Sequence, residues 1–515
     1  MSNPRSTQWA QLFALPDHPA LPLQGRLRAA VVQAILEERL GPGAPLPSSR
    51  ELAALLGLSR NTVTSAYLQL MDEGFLEARP RSGVFVAHDA RPLSAALAEP
   101  LVGRSGQTGQ PPDWSGRVLR SLHGMPTLSK PERWRDYPDP FIYGTYDPQL
   151  FPTEDFRECC ARSLARSQLP HWTPDFETED VPELIEQIRT RLLPKRGVFA
   201  PKEEILVTLG AQHACYLLAD ALFDERTRVG LEEPGHPHAR NSFALRNPKW
   251  VEVAVDNDGL VVDALPAADY LFVTPSHQSP TTATLSLERR QWLLRKAELQ
   301  DFVIIEDDYE AENLYAGTPM PALKSLDKTG RVIYVGSVSK SLSPALRLGF
   351  IVAPRALIKE LRVIRHAMVR HPSAFLQHAY ALFLSLGHHE SHARRVNHAI
   401  QERLAVAAQA LREHLPDFRF TLPQGGASLW VQAPAWVDAA ELSLMARSHG
   451  VLIEAGDVFF AKPPYPCPYF RLRLSSIATA QIPAGIRALG IAMEELAQAR
   501  GEPRTSRVHP APERG

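Results

Sequence analysis

Residues 302–312 read FVIIEDDYEAE and residues 334–350 read YVGSVSKSLSPALRLGF. In each, an apolar, β-prone run gives way to side chains that carry chemistry. Asp307 follows four apolar residues, Phe302 to Ile305, and Lys340 closes the run that begins at Arg331. A carboxylate at the end of a buried strand needs a partner, because an unpaired buried charge is expensive. Lys340 sits among Ser337, Ser339 and Arg347, donors of the kind that hold a phosphate.

The same pattern recurs in EILVTLGAQ (204–212) and YLFVTPSHQSPTT (270–282), with helical stretches such as LERRQWLLRKAEL (287–299) between the runs. Strands alternating with helices predict a mostly parallel sheet covered on both faces. In such a sheet, polar residues just past the strand ends gather in one crevice. Gly210, Ala211 and Gln212 follow one run and lead into HACYLLADAL, a helix whose N-terminus offers free N–H groups to an anion. Pyridoxal phosphate matches this set. Its aldehyde suits Lys340, its pyridine nitrogen suits Asp307, and its phosphate suits Arg347 and the helix N-terminus. The charge of Arg347 favours the neutral, nucleophilic form of Lys340.

The N-terminal part reads differently. LQGRLRAAVVQAILEERL (23–40) places Leu27, Val31, Ile35 and Leu36 at helical spacing. SSRELAALLG (48–57) opens on Ser48 with Glu51 three residues on and closes at Gly57. Ser59 is placed to cap a third helix after a tight turn, the helix-turn-helix pattern. FLEARPRSGVFVA (75–87) then reads as a hairpin wing. In this arrangement Arg60, Asn61 and Thr62 open the helix that enters the DNA major groove. Arg50 reaches a phosphate at a helix N-terminus, and Arg79, Arg81 and Gly83 form the wing tip. Within residues 1–88 eight arginines face seven acids, so placement and not net charge argues for DNA.

Composition sets the bounds. The 515 residues are 44% hydrophobic with a formal net charge of -1, so no global field draws the chain to nucleic acid or membrane. Cys159, Cys160, Cys215 and Cys467 lack the spacing of a disulfide frame or metal knuckle, which predicts a reducing, cytoplasmic setting. No signal peptide or apolar run long enough to span a membrane is evident. His388 and His392 have helical i, i+4 spacing, but Arg394 and Arg395 beside them oppose a metal cation. Proline and glycine mark a linker over 89–135 and a disordered tail over 501–515. The domains expected are therefore 1–88, a winged helix-turn-helix, and 136–500, an α/β domain.

PLPSSRELAALLGLSRNTVTSAYLQLMDEGFLEARPRSGVFV (45–86) resembles the winged helix-turn-helix of GntR-type bacterial regulators. GTYDPQLFP, VTLGAQHA, LEEPGH, VTPSHQSPTT, IIEDDYEAE, YVGSVSKSLSPALRLGF, GHHESHARR and FRLRLSS resemble a fold-type-I aminotransferase. Fused, the two resemble the MocR class of regulators, the class of GabR.

The resemblance implies that Lys340 forms the Schiff base with pyridoxal 5'-phosphate and that Asp307 pairs with the pyridinium nitrogen. It further implies that Tyr309 reaches the ring hydroxyl, while Ser337, Arg347 and Gly210–Gln212 hold the phosphate. Arg471 matches the arginine that takes an effector carboxylate, with Arg473 as the alternative. His236 stands where a ring-stacking tyrosine is usual, and Trp172 is the candidate to replace a partner-subunit phosphate contact. The implied protein is a homodimer on operator DNA that senses an amino-acid-like effector through an external aldimine. The alternatives are a working aminotransferase with secondary DNA binding and a regulator that senses the cofactor itself.

Overall fold

The structure, a computed structural model, describes residues 9, 12–13, 22–80, 82–88, 112–118, 121–143, 147–175, 179–310, 312, 320–337 and 342–502. Arg81, Ser339 and Lys340 lie outside these residues, as do most of the expected linker and all but two residues of the expected tail. The chain divides into two compact units, Met1–Arg117 and Val118–Gly515.

In the first unit three helices precede a hairpin: α1 (Leu23–Leu36), α2 (Ser49–Leu56), α3 (Arg60–Asp72), β1 (Leu76–Arg79) and β2 (Gly83–Val86). Leu27, Val31 and Ile35 of α1 enter the core with Leu52, Val63, Tyr67 and Leu70. Leu36, read from its spacing as part of that stripe, is instead exposed, because α1 ends there. Ser48 accepts the Glu51 N–H at 3.2 Å and Ser59 accepts the Thr62 N–H at 3.1 Å, so each hydroxyl satisfies a helix-end donor that lacks an internal partner. Gly57 closes α2 at φ 64°, a left-handed turn that glycine adopts without strain. β1 and β2 pair antiparallel, with Leu76 opposite Val86 and Arg79 opposite Gly83.

The second unit is built on an eight-stranded sheet. Its strands are β3 (Ile205–Thr208), β4 (Arg228–Glu233), β5 (Lys249–Asp256), β6 (Gly259–Leu260), β7 (Tyr270–Val273), β8 (Val303–Asp308), β9 (Val332–Ser337) and β10 (Gly349–Val352). Their order is β3-β10-β9-β8-β7-β4-β5-β6. The run β9-β8-β7-β4-β5 is parallel, and β10 is antiparallel to both neighbours. Helices α4 (Ala211–Leu222), α5 (Pro237–Ala244) and α7 (Arg355–Val369) contribute to a core on one face with Leu231, Phe272, Ile305 and Val335. Helix α6 (Leu287–Gln300) packs on the other face against Leu271, Ile304 and Val332. Helix α8 (Ala374–Ser385) packs beside Tyr334 and Phe350. Neighbouring residues of one strand thus serve opposite layers, as the two-residue repeat of a strand requires.

Beyond α9 (His388–His414) lies a four-stranded antiparallel sheet of β11 (Arg419–Phe420), β12 (Ser428–Gln432), β13 (Glu454–Ala455) and β14 (Tyr469–Arg473), in the order β11-β12-β14-β13. Helices α10 (Ala439–Ser448) and α11 (Ile482–Arg500) share its core. Residues 121–135, expected as linker, fall within the second unit, where Asn241 Nδ2 donates to the Pro126 carbonyl at 2.9 Å. Among the described residues no helix is long and apolar enough to cross a membrane.

Removing the Ser59 cap should cost about 1 kcal/mol. Amide exchange over residues 60–72 of Ser59→Ala is expected to quicken roughly fivefold relative to the parent chain. Unchanged exchange would show that the hydroxyl carries no capping energy.

Candidate cofactor and effector site

The ends of β8 and β9, the turn before α4 and the start of α5 border a cleft. Its lining includes Tyr143, Ala211, Gln212, Cys215, His236, His238, Asp307, Tyr309, Ser337 and Arg347. Gly210 directly precedes two of these residues, Ala211 and Gln212. Sequence positions from 143 to 347 therefore meet in one place, at the carboxyl ends of parallel strands.

Several groups of the lining are donors of the kind that suit an anion. Gly210 turns at φ 89° and hands the chain to α4, whose first N–H groups have no intrahelical partner. Arg347 donates from Nη2 to the Leu209 carbonyl at 2.7 Å. A Cβ on Gly210 would lie 3.1 Å from that nitrogen, so the bare glycine lets the guanidinium close on the turn. His213, in the first turn of α4, accepts the Leu209 N–H through Nδ1 at 3.0 Å and must be neutral to do so. Burial, with Arg365 and Arg347 nearby, pulls its pKa down to about 4.

Asp307, 6% exposed, lines the same cleft on the α4 side of β8. Burial, and the Asp307 charge after it, push the Cys215 thiol well above its ordinary range, so Cys215 is a neutral wall of the cleft. Tyr309 follows β8 and borders the cleft. Its phenol is pushed up by burial and by Glu310, while the charges of Arg473 and Arg471 pull the other way. His236 is the N-cap of α5; its Nδ1 accepts the His238 N–H at 3.2 Å, and the two rings stand 5.5 Å apart.

Arg471 and Arg473 lie on β14 behind this wall, and their hydrogen bonds separate them. Arg473 donates to Ser475 at 3.1 Å, to Ser428 at 3.2 Å and to the Glu310 carboxylate, so each of its nitrogens is engaged. Arg471 donates from Nε to Glu454 at 2.7 Å. Among the described residues no acceptor reaches its buried Nη2. Trp172 donates its indole N–H to the Ser163 carbonyl at 2.8 Å and packs edge-on against Phe375, so that donor is not available to a phosphate.

Several functional neighbours carry no sequence motif. Asp308, next to Asp307, points into the opposite layer and accepts from Arg196 at 2.7 Å and from the Tyr334 hydroxyl at 3.0 Å. Glu306 accepts the N–H groups of Leu323 and Lys324 at 2.8 and 2.9 Å. Among the described residues no cluster of acids, histidines or cysteines could hold a metal.

In the first unit Arg50, Ser59, Arg60 and Asn61 are exposed, and Thr62 is half-buried. Arg79 is paired with Glu77 at 2.6 Å and lies over the Phe85 ring, so a DNA phosphate must compete for it. Gly83 turns at φ 111°.

Family comparisons agree with this two-part architecture. Residues 23–86 match the bacterial regulatory proteins of the gntR family, and residues 174–489 match aminotransferase class I and II. The chain is 42% identical to the HTH-type transcriptional regulator TauR of Rhodobacter capsulatus, over 92% of this chain and 96% of that one. The chain belongs to the MocR-type transcription regulators. The regulator is also 35% identical to the probable rhizopine catabolism regulatory protein MocR of Rhizobium meliloti, over 82% of this chain and 83% of that one.

Among solved structures, the α-aminoadipate aminotransferase LysN of Thermus thermophilus superposes with a TM-score of 0.66. It is 28% identical and is matched over 75% of the regulator and 97% of its own length. That enzyme was solved with N-(5'-phosphopyridoxyl)-L-leucine. Kynurenine aminotransferase of Pyrococcus horikoshii, solved with PMP, gives the same score at 25% identity, over 70% of the regulator and 91% of its own length.

The depressed pKa of His213 has a pH signature. An unfolded chain protonates this histidine below its ordinary value of 6.5, while the folded chain keeps it neutral down to about 4. The stabilisation is therefore present above pH 6.5 and lost as pH falls toward 4. For the cofactor-free chain it should amount to about 2 kcal/mol after allowance for solvent. Urea unfolding of His213→Gln between pH 4 and 7 is expected to show a flatter slope than the parent. An identical slope would contradict a neutral His213.

Proposed function

We propose that the regulator binds pyridoxal 5'-phosphate in the cleft, where Lys340 would hold it as a Schiff base, and senses an amino-group-bearing carboxylate whose amine would displace Lys340 to give an external aldimine. The observation that carries this reading is the chemistry of one cleft: a carboxylate, Asp307, lines it together with an arginine, a serine and the N-terminus of α4. Bound there, the cofactor supplies an electrophilic carbon that exchanges one amine for another.

The chain's residues divide the remaining work. Asp307 faces the pyridine nitrogen and holds its proton. Tyr309 donates to the ring hydroxyl, His236 lies against the ring, and Ser337, Arg347 and Gly210–Gln212 hold the phosphate. Lys340 is the amine that the effector displaces. Arg471 takes the effector carboxylate through the Nη2 edge that Glu454 leaves open; Arg473, with every nitrogen engaged, is the weaker choice.

Arg50, Ser59, Arg60, Asn61, Thr62, Arg79, Arg81 and Gly83 meet double-stranded operator DNA. Two winged helices reading half-sites imply a homodimer. The effector changes DNA binding only so far as it prefers one arrangement of the dimer over another. The four cysteines stand as free thiols, which fits a cytoplasmic protein.

Titration of the holo-protein with amine-bearing carboxylates, following visible absorbance, operator affinity and keto-acid release together, tests the reading. Operator affinity is expected to move with the absorbance while keto acid stays near one equivalent or less. Multiple turnovers with unchanged operator affinity would make the protein an aminotransferase, and a DNA response to the cofactor alone would make it a cofactor sensor. Arg60→Ala is expected to weaken operator binding by about 1–3 kcal/mol if the arginine makes a bidentate base contact. Equal affinity at low salt would remove α3 from the groove.

A further inference from the structure

Strand β3 lies at the edge of the eight-stranded sheet, with β10 on one side and, among the described residues, no strand on the other. The backbone groups that an edge strand turns away from its sheet need partners of another kind. Here side chains supply them at every second residue. Arg362 donates to the Ile205 carbonyl at 2.9 Å, Asp180 accepts the Val207 N–H at 3.1 Å, and Arg365 donates to the Val207 carbonyl at 2.7 Å. Arg365 and Asp180 are also a buried ion pair. The series continues to Leu209, in the turn that leads into α4. His213 Nδ1 accepts the Leu209 N–H at 3.0 Å, and Arg347 donates to the Leu209 carbonyl at 2.7 Å.

The rest of this turn is held as closely. The Thr208 hydroxyl and the Ala214 N–H both donate to the Gly210 carbonyl, at 3.1 and 3.2 Å. A Cβ on Gly349 of β10 would stand 2.9 Å from the Gly210 Cα. Among the groups that hold Leu209, the imidazole is the one whose role depends on its charge. An imidazolium has two donors and no acceptor for the Leu209 N–H. Burial, with Arg365 and Arg347 nearby, keeps the ring neutral. The neutral ring then carries its proton on Nε2, a buried nitrogen that no acceptor among the described residues reaches. Leaving a buried donor unpaired is costly, so the ring's own hydrogen bonding does not favour histidine at this position. What the ring supplies is the acceptor for Leu209.

We propose that His213 is a positioning residue for the cofactor phosphate: its Nδ1 fixes Leu209, and Leu209 in turn fixes the Arg347 guanidinium beside the N-terminus of α4. The assignment rests on the cofactor reading above and requires no contact between His213 and the ligand. Without the acceptor, the Leu209 N–H turns to another partner and the carbonyl that docks Arg347 shifts with it. The guanidinium and the first N–H groups of α4 then no longer meet one anion in a fixed geometry.

The test reconstitutes the full-length apo-protein with pyridoxal 5'-phosphate or with pyridoxal, which has the same aldehyde and ring but no phosphate, and follows the visible band. His213→Leu and His213→Ala both remove the acceptor. In His213→Asn, Oδ1 stands the same number of bonds from the backbone as Nδ1 and keeps it. The dissociation constant for pyridoxal 5'-phosphate should rise ~10-fold in the leucine and alanine variants, that for pyridoxal should not change, and the asparagine variant should recover most of the loss. Unchanged affinity for pyridoxal 5'-phosphate, an equal loss for pyridoxal, or a loss in His213→Asn as large as in His213→Leu would overturn the proposal. The asparagine and alanine variants carry the test if the leucine variant does not fold. A parent that gives no visible band would instead count against the cofactor reading. The claim about His213 is then decided with inorganic phosphate, followed by phosphorus NMR: weaker binding in His213→Ala than in the parent and His213→Asn supports it, and equal binding in all three, or none by the parent, sinks it.

Discussion

Three consecutive carboxylates on one buried strand constrain the rest of the second unit. Glu306, Asp307 and Asp308 are each no more than 6% exposed, and each must be compensated inside the protein. The alternation of a strand sends Asp307 to the α4 layer and its two neighbours to the opposite layer. There the burial that would push Asp308 up is outweighed by Arg196, Ser276 and Tyr334, which hold its carboxyl below the usual range. Glu306, pushed up to about 7 by burial and by Asp308, sits on the N–H groups that open helix 323–326. With those two fixed by the protein, Asp307 is the acid presented to the cleft.

The second sheet poses the same problem with opposite charges. β14 carries two buried arginines two residues apart, on one face of the strand, and each meets a glutamate. Glu310 reaches Arg473 from the end of β8, so the strand that presents Asp307 is also tied to the small sheet. Glu454 reaches Arg471 from the adjacent strand β13, opposite it in the ladder. Removing one partner of either pair would leave a buried charge, a change that typically costs about 3–5 kcal/mol. Glu454 thus sets the orientation of the Arg471 guanidinium.

Much of this was legible in the chain. Apolar runs ending in polar residues located β3, β7, β8 and β9. Ser48 and Ser59 announced the starts of α2 and α3, and Ala211, Gln212, Asp307 and Ser337 meet in one cleft as their places at the strand ends implied, with Tyr309, singled out by the family resemblance alone, beside them. What the chain did not disclose are the partners that topology selects. Arg196 lies 112 residues before Asp308, and Glu310 lies 163 before Arg473, so no local pattern joins them. The hydrogen bonds that distinguish Arg471 from Arg473 are likewise set by topology. Residues 121–135 read as linker because proline and poor periodicity hide a segment held by a few side-chain contacts. Leu36 read as core because its spacing continues a stripe that the helix itself does not.

The most direct measurement is borohydride reduction of the cofactor-loaded protein followed by peptide mass mapping. The lysine chemistry described here expects a single phosphopyridoxyl group on the peptide that spans Lys340, and none in Lys340→Ala. A label on a different lysine, or no stable label at any position, would contradict it.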